Sequence, residues 1–374
     1  MQAVTDIFAG SSLHAKQILS LAYATVGACF APRAGVAHLG TAMATVRGTA
    51  AKHGIKQIDR LLSNAKIDDE VALAAHVRFV LGARRRVVAS LDWTEYAAYG
   101  HHRIALSLVT RHGRSTPLVW KTVTDAELTN RRNEHEDTLL ELFARVLPKP
   151  AEEIIILADR GFGDVARYQQ LLAQCGFHFI IRFRGVIHVR DAHGLAKPAK
   201  DWLRADGRAQ VIRDARVTGQ RYQVARVVAV QRAQMKDAWF LASSLPWNAQ
   251  QLISWYGRRF TIEENFRDEK DPRYGLGSVE VELGTPARRD RHVLVLALAV
   301  ALLTLLGAVG EDLGLDRHLR ANTVKRRTHS LFRQGRAYVQ GAFGKLVDGA
   351  RRLRDGLMRS VRIQPHVVDV EGTI

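Results

Sequence analysis

Cysteine is the scarcest resource in this 374-residue chain: only Cys29 and Cys175 are present. They lie far apart and give neither a metal-binding spacing nor a disulfide framework, which points to a reducing compartment. The first residues lack a basic start followed by a clean apolar run, so no cleavable signal peptide is expected. Internal repeats and low-complexity segments are absent as well. Proline and glycine are moderate, and 47% of the residues are hydrophobic, which excludes a disordered chain and leaves room for two or three domains. Uncharged runs are rare; the one long example is Val293–Gly310, "VLVLALAVALLTLLGAVG". Its eighteen residues stand near the lower limit for a membrane span. Its alanine content and its setting in a highly charged chain favour a buried core helix. Acid is also in short supply. Fifty-five Lys and Arg face 37 Asp and Glu, for a net charge of +18. Such an excess attracts polyanions, nucleic acid above all. It is concentrated toward the C-terminus, where Arg317–Arg359 holds twelve basic residues against Asp348 and Asp355.

The pattern of elements changes along the chain. Residues 1–80 read as helical, with Asn64 and Asp68 as break or cap signals. After "ARRR" come "RVVASLD", a short strand ending on Asp92, and two more strands joined by a turn at His112–Ser115. An amphipathic helix leads to "EEIIILAD", a continuous apolar run expected to be a central buried strand, ending on Asp159. A further helix and strand complete the order β-β-β-α-β-α-β. Residues 185–247 alternate with period two and read as an all-β insertion. The rest is helical and basic.

Two features carry candidate chemistry. Asp92 and Asp159 each close an apolar strand, where α/β sheets place their ligand crevice. As single residues each reads first as a turn acid; as paired carboxylates from separate strands they equally suit hard divalent cations. Two glycines in "DRGFGD", Gly161 and Gly163, read as a tight strand-to-helix turn rather than a phosphate loop. The second feature is "WYGRRFTIEENFRDEK", residues 255–270. On a single helix at 100° per residue, Tyr256, Arg259, Glu263 and Lys270 fall within about 60° of one another. Trp255, Ile262 and Phe266 lie beside that stripe. Glu264, Asp268 and Glu269 point elsewhere and are expected to face solvent. The spacing equally fits an ordinary Arg259–Glu263 surface pair.

Together, Asp92, Asp159 and the Tyr256-x2-Arg259-x3-Glu263-x6-Lys270 spacing resemble the DDE transposases of bacterial insertion sequences. More narrowly, they resemble the insertion-sequence-four family with its Tyr-Arg-Glu-Lys signature. The resemblance spans roughly residues 80–310. It implies an α/β fold: a ribonuclease-H-like mixed sheet flanked by helices, interrupted by an all-β insertion, with helical N- and C-terminal regions. The expected organisation is a helical DNA-binding region at 1–80, a first part of the catalytic core at 81–184 and the insertion at 185–247. The second part of the core, with Glu263, follows at 248–310, and a basic helical region at 311–374.

The resemblance also implies an activity. Asp92, Asp159 and Glu263 would be the catalytic carboxylates and would bind two Mg²⁺ ions, with Mn²⁺ as a substitute. Strand cleavage by water at a transposon end would free a 3′-hydroxyl. That hydroxyl would attack the opposite strand, giving a hairpin, and later the target DNA. Tyr256 would be a phosphate contact, not a nucleophile, and Arg259 and Lys270 would grip DNA near the cut. Trp239 in "DAWFLASSL" would stack on a flipped base, although a buried strand Trp fits that position equally well. Arg160, beside Asp159, is a further DNA contact or a surface ion pair. Partners would be double-stranded DNA, as terminal inverted repeats and target, and a second copy of the chain in a homodimer. A cytoplasmic, nucleoid-associated location without membrane contact would follow. A ribonuclease-H-like nuclease, or a domesticated transposase serving as a DNA-binding regulator, are the alternative readings. "KHGIKQIDRLLSN" also resembles a segment near the N-terminal end of that family. "VKRRTHSLFRQGR" would add sequence-blind phosphate affinity.

Overall fold

The computed structural model describes residues 1–341 and 347–362. The basic region expected at 311–374 therefore lies partly outside the described residues. Helices α1 (Gln2–Ile7), α2 (Ala15–Phe30), α3 (Val36–Arg47), α4 (Ala51–Leu62) and α5 (Asp69–Leu81) precede the first strand. Asp68 is the N-cap of α5, accepting from the Val71 amide. Strands β1 (Arg86–Tyr96), β2 (His101–Val109) and β3 (Ser115–Thr124) follow, then α6 (Asp125–Leu128), α7 (Arg132–Val146), β4 (Glu153–Ala158), α8 (Val165–Gln169) and β5 (His178–Arg182). Next come β6 (His188–Arg190), β7 (Ala196–Pro198), β8 (Gln210–Val217), β9 (Tyr222–Val230) and β10 (Trp239–Ser243). Helices α9 (Ala249–Gly257), α10 (Thr261–Lys270), α11 (Pro286–Asp312), α12 (Leu331–Val339) and α13 (Val347–Arg362) complete the described chain.

The strands form one mixed sheet in the order β3-β2-β1-β4-β5-β10-β9-β8-β6-β7. β1 runs antiparallel to β2 and parallel to β4, and β4 is parallel to β5. This large mixed sheet flanked by helices is consistent with a ribonuclease-H-like transposase domain. The strands of 185–247 continue the same sheet: β10 pairs antiparallel with β5 and carries β9, β8, β6 and β7 beyond it.

Side-chain parity decides what each face meets, because successive residues of a strand point to opposite sides. Val87, Ala89 and Leu91 of β1 and Ile154, Ile156 and Ala158 of β4 pack with the N-terminal helices, α7 and α11. Val88 of β1 and Ile155 and Leu157 of β4 face the other way, against Leu252, Ile253 and Tyr256 of α9. Full burial on both faces explains the unbroken apolar runs in the sequence. Each fully buried Val, Leu or Ile stabilises by about 1.5–3 kcal/mol.

Helix α11 answers the membrane question raised by Val293–Gly310. It starts at Thr285, whose side chain accepts from the Arg288 amide, with Pro286 at the first helical position. Its apolar window is 94% buried, packed among α2, β3, α12 and α13. A helix apolar on all sides is a core helix when protein surrounds it.

Candidate active site

Strand β1 does not stop at Asp92 as its sequence suggests. It runs on to Tyr96, because Asp92, Trp93, Thr94, Glu95 and Tyr96 stay paired with β2 residues Ala105 to His101. Only the parallel pairing to β4 stops there; its last partners are Leu91 and Ala158. The next residues in that register are Asp92 and Asp159. Neighbouring strands lie about 4.8 Å apart. By parity both acids project to the face covered by α9, at the point where β4 ends and the sheet opens.

Each acid is held. Asp92 accepts from the Trp93 amide (2.9 Å) and pairs with the Arg259 guanidinium (2.9 Å). Burial raises its pKa above the usual carboxylate value; Arg259 opposes that rise and the charge of Asp159 adds to it. Asp159 caps the short turn Arg160–Phe162 by accepting from the Gly161 amide (2.8 Å). A Cβ on Gly163 would come within 2.9 Å of the Arg182 carbonyl oxygen. The "DRGFGD" glycines thus serve a tight turn against the end of β5.

Glu263 arrives from another element. Residues 255–270 are not one α-helix: α9 ends at Gly257, Arg258–Phe260 tighten into a 3₁₀ turn, and α10 starts at Thr261. The turn docks on β1, where the Ser90 hydroxyl donates to the Arg259 carbonyl (3.4 Å). Arg259 is 5% exposed. Its two terminal nitrogens each lie 2.9 Å from a carboxylate, one on Asp92 and one on Glu263. The three positions Asp92, Arg259 and Glu263 are therefore brought together, with Asp159 beside Asp92.

The remaining sequence candidates fall at different depths. Tyr256 is fully buried, and its ring stands edge-on to Trp239 with centroids 4.9 Å apart. Trp239 is half-buried and tilts 6.2 Å from Phe260, which is 40% exposed. Lys270 donates to the Thr94 hydroxyl (2.9 Å) and to the Glu95 carbonyl, and its ammonium lies 4.8 Å over the Tyr96 ring. It anchors the end of α10 on β1, and burial lowers its pKa. Arg160 is exposed, without an ion pair among the described residues.

Two acids expected to face solvent do not. Glu269 is 3% exposed and takes a bidentate pair from Arg103 (2.6 and 2.8 Å) plus a hydrogen bond from the Tyr96 hydroxyl (2.7 Å). Asp268, 7% exposed, pairs with Arg114 (2.7 Å). Only Glu264 keeps a partly open position, near Arg267 and Arg114. Sequence reasoning also passed over Ser90 and Thr94. They share the Asp92 face of β1 and hold the Arg259 turn and Lys270; the period-two spacing 90-92-94 was the available signal.

A family model for the transposase DDE domain matches residues 84–300, more than half of the chain. The chain belongs to the DDE transposases. The match runs from β1 through most of α11 and includes every residue of the site just described. No curated protein matches the chain. Membership makes this transposase a metal-dependent DNA-cleaving enzyme that takes DNA as substrate.

The donor set fits such chemistry. Two carboxylates, Asp92 on β1 and Asp159 just past the end of β4, one with a pKa raised partly by the other, supply hard oxygen ligands and a local excess of negative charge. Among the described residues no group of three His, Cys, Asp or Glu side chains is closed into a metal cage. The reason is visible in the geometry: a guanidinium stands between Asp92 and Glu263.

Proposed function

We propose that this transposase belongs to the insertion-sequence-four group and performs cut-and-paste transposition, with Asp92, Asp159 and Glu263 as its catalytic carboxylates. They would hold two Mg²⁺ ions, with Mn²⁺ as a substitute. Ions held there would supply Lewis-acid polarisation of the scissile phosphate and activation of the attacking oxygen. The chain's own residues do the rest. Asp92 and Asp159 fix one edge of the site from rigid strands, and Glu263 closes it from α10. Arg259, and Lys270 beyond it, would offer cations to phosphate oxygens near the cut. Trp239, beside exposed Phe260, offers an aromatic face for a base displaced at a hairpin end. Exposed Arg160 adds a backbone contact, which carries no sequence information.

The observation that supports this reading is the β1–β4 register, which sets Asp92 next to Asp159 on the face that α10 approaches with Glu263. The test is cleavage of duplex DNA ending in the element's inverted repeats, with Mg²⁺. Nicks, hairpins and excised product are expected from the wild type. Asp92→Ala, Asp159→Ala and Glu263→Ala should bind the DNA without cutting it. Full cleavage by Glu263→Ala would overturn the three-carboxylate assignment.

Reading of the inverted repeats falls, in this proposal, to residues 1–80. Support comes from α3 and α4, which are joined by three residues, with Gly48 in the left-handed conformation that ends α3 (φ 65°). The two helices touch at Gly40 and Gly54, where a Cβ would come within 2.4 and 2.1 Å of backbone atoms. Such close seating gives a rigid pair. On α4, Lys52, His53, Lys56 and Arg60 are exposed and fall within about 100° of one another. That basic stripe is the candidate face for a DNA groove. Two ends would be bridged by a homodimer, and a protein working on chromosomal DNA would reside in the cytoplasm with the nucleoid.

A further inference from the structure

Arg259 occupies the position that a cation must take to bind Asp92 and Glu263 together. It comes from neither β1 nor α10, which carry the two acids, but from the 3₁₀ turn between α9 and α10. It is almost fully buried, and it spends one terminal nitrogen on each acid. A guanidinium there does electrostatically what a divalent ion would do: it offsets two carboxylates that would otherwise repel each other and the nearby Asp159. Guanidinium and metal ion compete for the position, because both are cations and Arg259 already draws on Asp92 Oδ2 and Glu263 Oε1. The grip is also incomplete. Glu263 remains half exposed. One of the guanidinium's two partners is therefore open to competition. A phosphodiester is the competitor that DNA brings; Arg binds phosphate in the same forked geometry as carboxylate.

We infer that Arg259 is a positioning residue that couples metal binding to DNA binding. Without DNA it holds Asp92 and Glu263 as a built-in substitute for the metal. When a DNA phosphate draws it away, both carboxylates are released to the ion. Linkage makes the effect reciprocal: DNA tightens metal binding by the factor by which metal tightens DNA binding. This inference rests on the three-carboxylate reading. It adds that the site stays closed to metal until substrate arrives, which would limit stray cleavage by free protein.

The experiment measures Mn²⁺ binding by the loss of the free-ion electron paramagnetic resonance signal. It uses the full chain, with and without a short duplex of arbitrary sequence, whose phosphates are the ligand invoked. For wild type the duplex should tighten Mn²⁺ binding about tenfold, within the usual range of coupling between sites. Arg259→Gln should bind Mn²⁺ without DNA about tenfold more tightly than wild type, and should gain less than about threefold from the duplex. Arg259→Lys, whose single ammonium holds one carboxylate less firmly than a fork holds two, should fall between them. Thermal melting shows which variants fold; if the Gln variant does not, the Lys variant carries the same criterion. DNA-free Mn²⁺ affinity in the folded variant no tighter than in wild type overturns the inference. Asp92→Asn and Glu263→Gln separate it from its foundation: both should lose Mn²⁺ binding even with DNA, and unchanged binding in both would sink the ligand assignment itself.

Discussion

Two of the three glutamates on helix α10, Glu263 and Glu269, lie six residues apart and each meets an arginine, yet the two pairs have opposite characters. Glu269 and Arg103 form a closed unit, with two parallel hydrogen bonds, a third from Tyr96, and side chains 4% and 2% exposed. Glu263 and Arg259 form an open one. Arg259 divides its fork between two carboxylates, and Glu263 stays 50% exposed. The same residue types therefore serve structure at one end of the helix and a reacting site at the other. What separates them is how completely the carboxylate is satisfied by groups that cannot leave.

The largest expected effect lies at the open end. Glu263→Gln should reduce cleavage by about 10⁴-fold, a barrier increase above 5 kcal/mol, while the melting temperature stays close to that of wild type. The measurement pairs a cleavage time course with a thermal melt. A large fall in melting temperature would blur the distinction between the two ends of α10.

Next comes the closed end. Glu269→Ala leaves Arg103 buried without its counter-ion, which should cost about 3–5 kcal/mol of stability. Urea unfolding followed by fluorescence should show the midpoint fall with little change in slope. Because Arg103 also lies 5.5 Å from the Phe266 ring, the damage should propagate into the packing of α10. A loss below about 1 kcal/mol, typical of an exposed pair, would break the comparison.

A pH experiment sharpens it further. Asp290, partly buried beside β3, accepts from the Thr122 amide and hydroxyl. Burial pushes its pKa up to about 7 despite those hydrogen bonds. In the folded state it therefore holds a proton that the unfolded chain releases near pH 4. Between those values the folded form binds more protons, so stability falls as pH rises from about 4 to about 7. Asp290→Asn should flatten that decline and leave the protein more stable than wild type at pH 8. Unfolding free energies across the range decide; an unchanged slope would mean that Asp290 is already ionised when folded.

How much of this was legible beforehand depends on whether a feature was local. The apolar run of β4, its terminal Asp159, the Asp68 cap and the core helix α11 all follow from short-range patterns. The length of β1 did not, because "DWTEY" is polar enough to resemble a loop until β2 pairs with it. The helical wheel over 255–270 failed for a geometric reason. Three residues of 3₁₀ turn advance about 120° each instead of 100°, rotating α10 against α9 by about 60°. Tyr256 consequently faces the core while Glu263 faces the opening. Glu269 read as a solvent charge because its partner, Arg103, lies far away in the chain and periodicity cannot name it.

Glu264 is the point where the smallest effect is expected, and it calibrates the rest. It sits next to Glu263 and pairs with Arg267 (3.0 Å) three residues on and with Arg114 (3.5 Å). Its side chain is 32% exposed, and both arginines keep other partners or solvent: Arg114 holds Asp268, and Arg267 is 65% exposed. No charge is stranded when it is removed, so Glu264→Gln should cost less than about 1 kcal/mol and change cleavage less than about threefold. Its proximity to Glu263 makes it a demanding control. If Glu264→Gln reduced cleavage as severely as Glu263→Gln, proximity to the site and not the Asp92–Arg259–Glu263 contact would be the operative variable. If it is silent, a shift of one residue along the same helix separates a group that reacts from one that only balances charge.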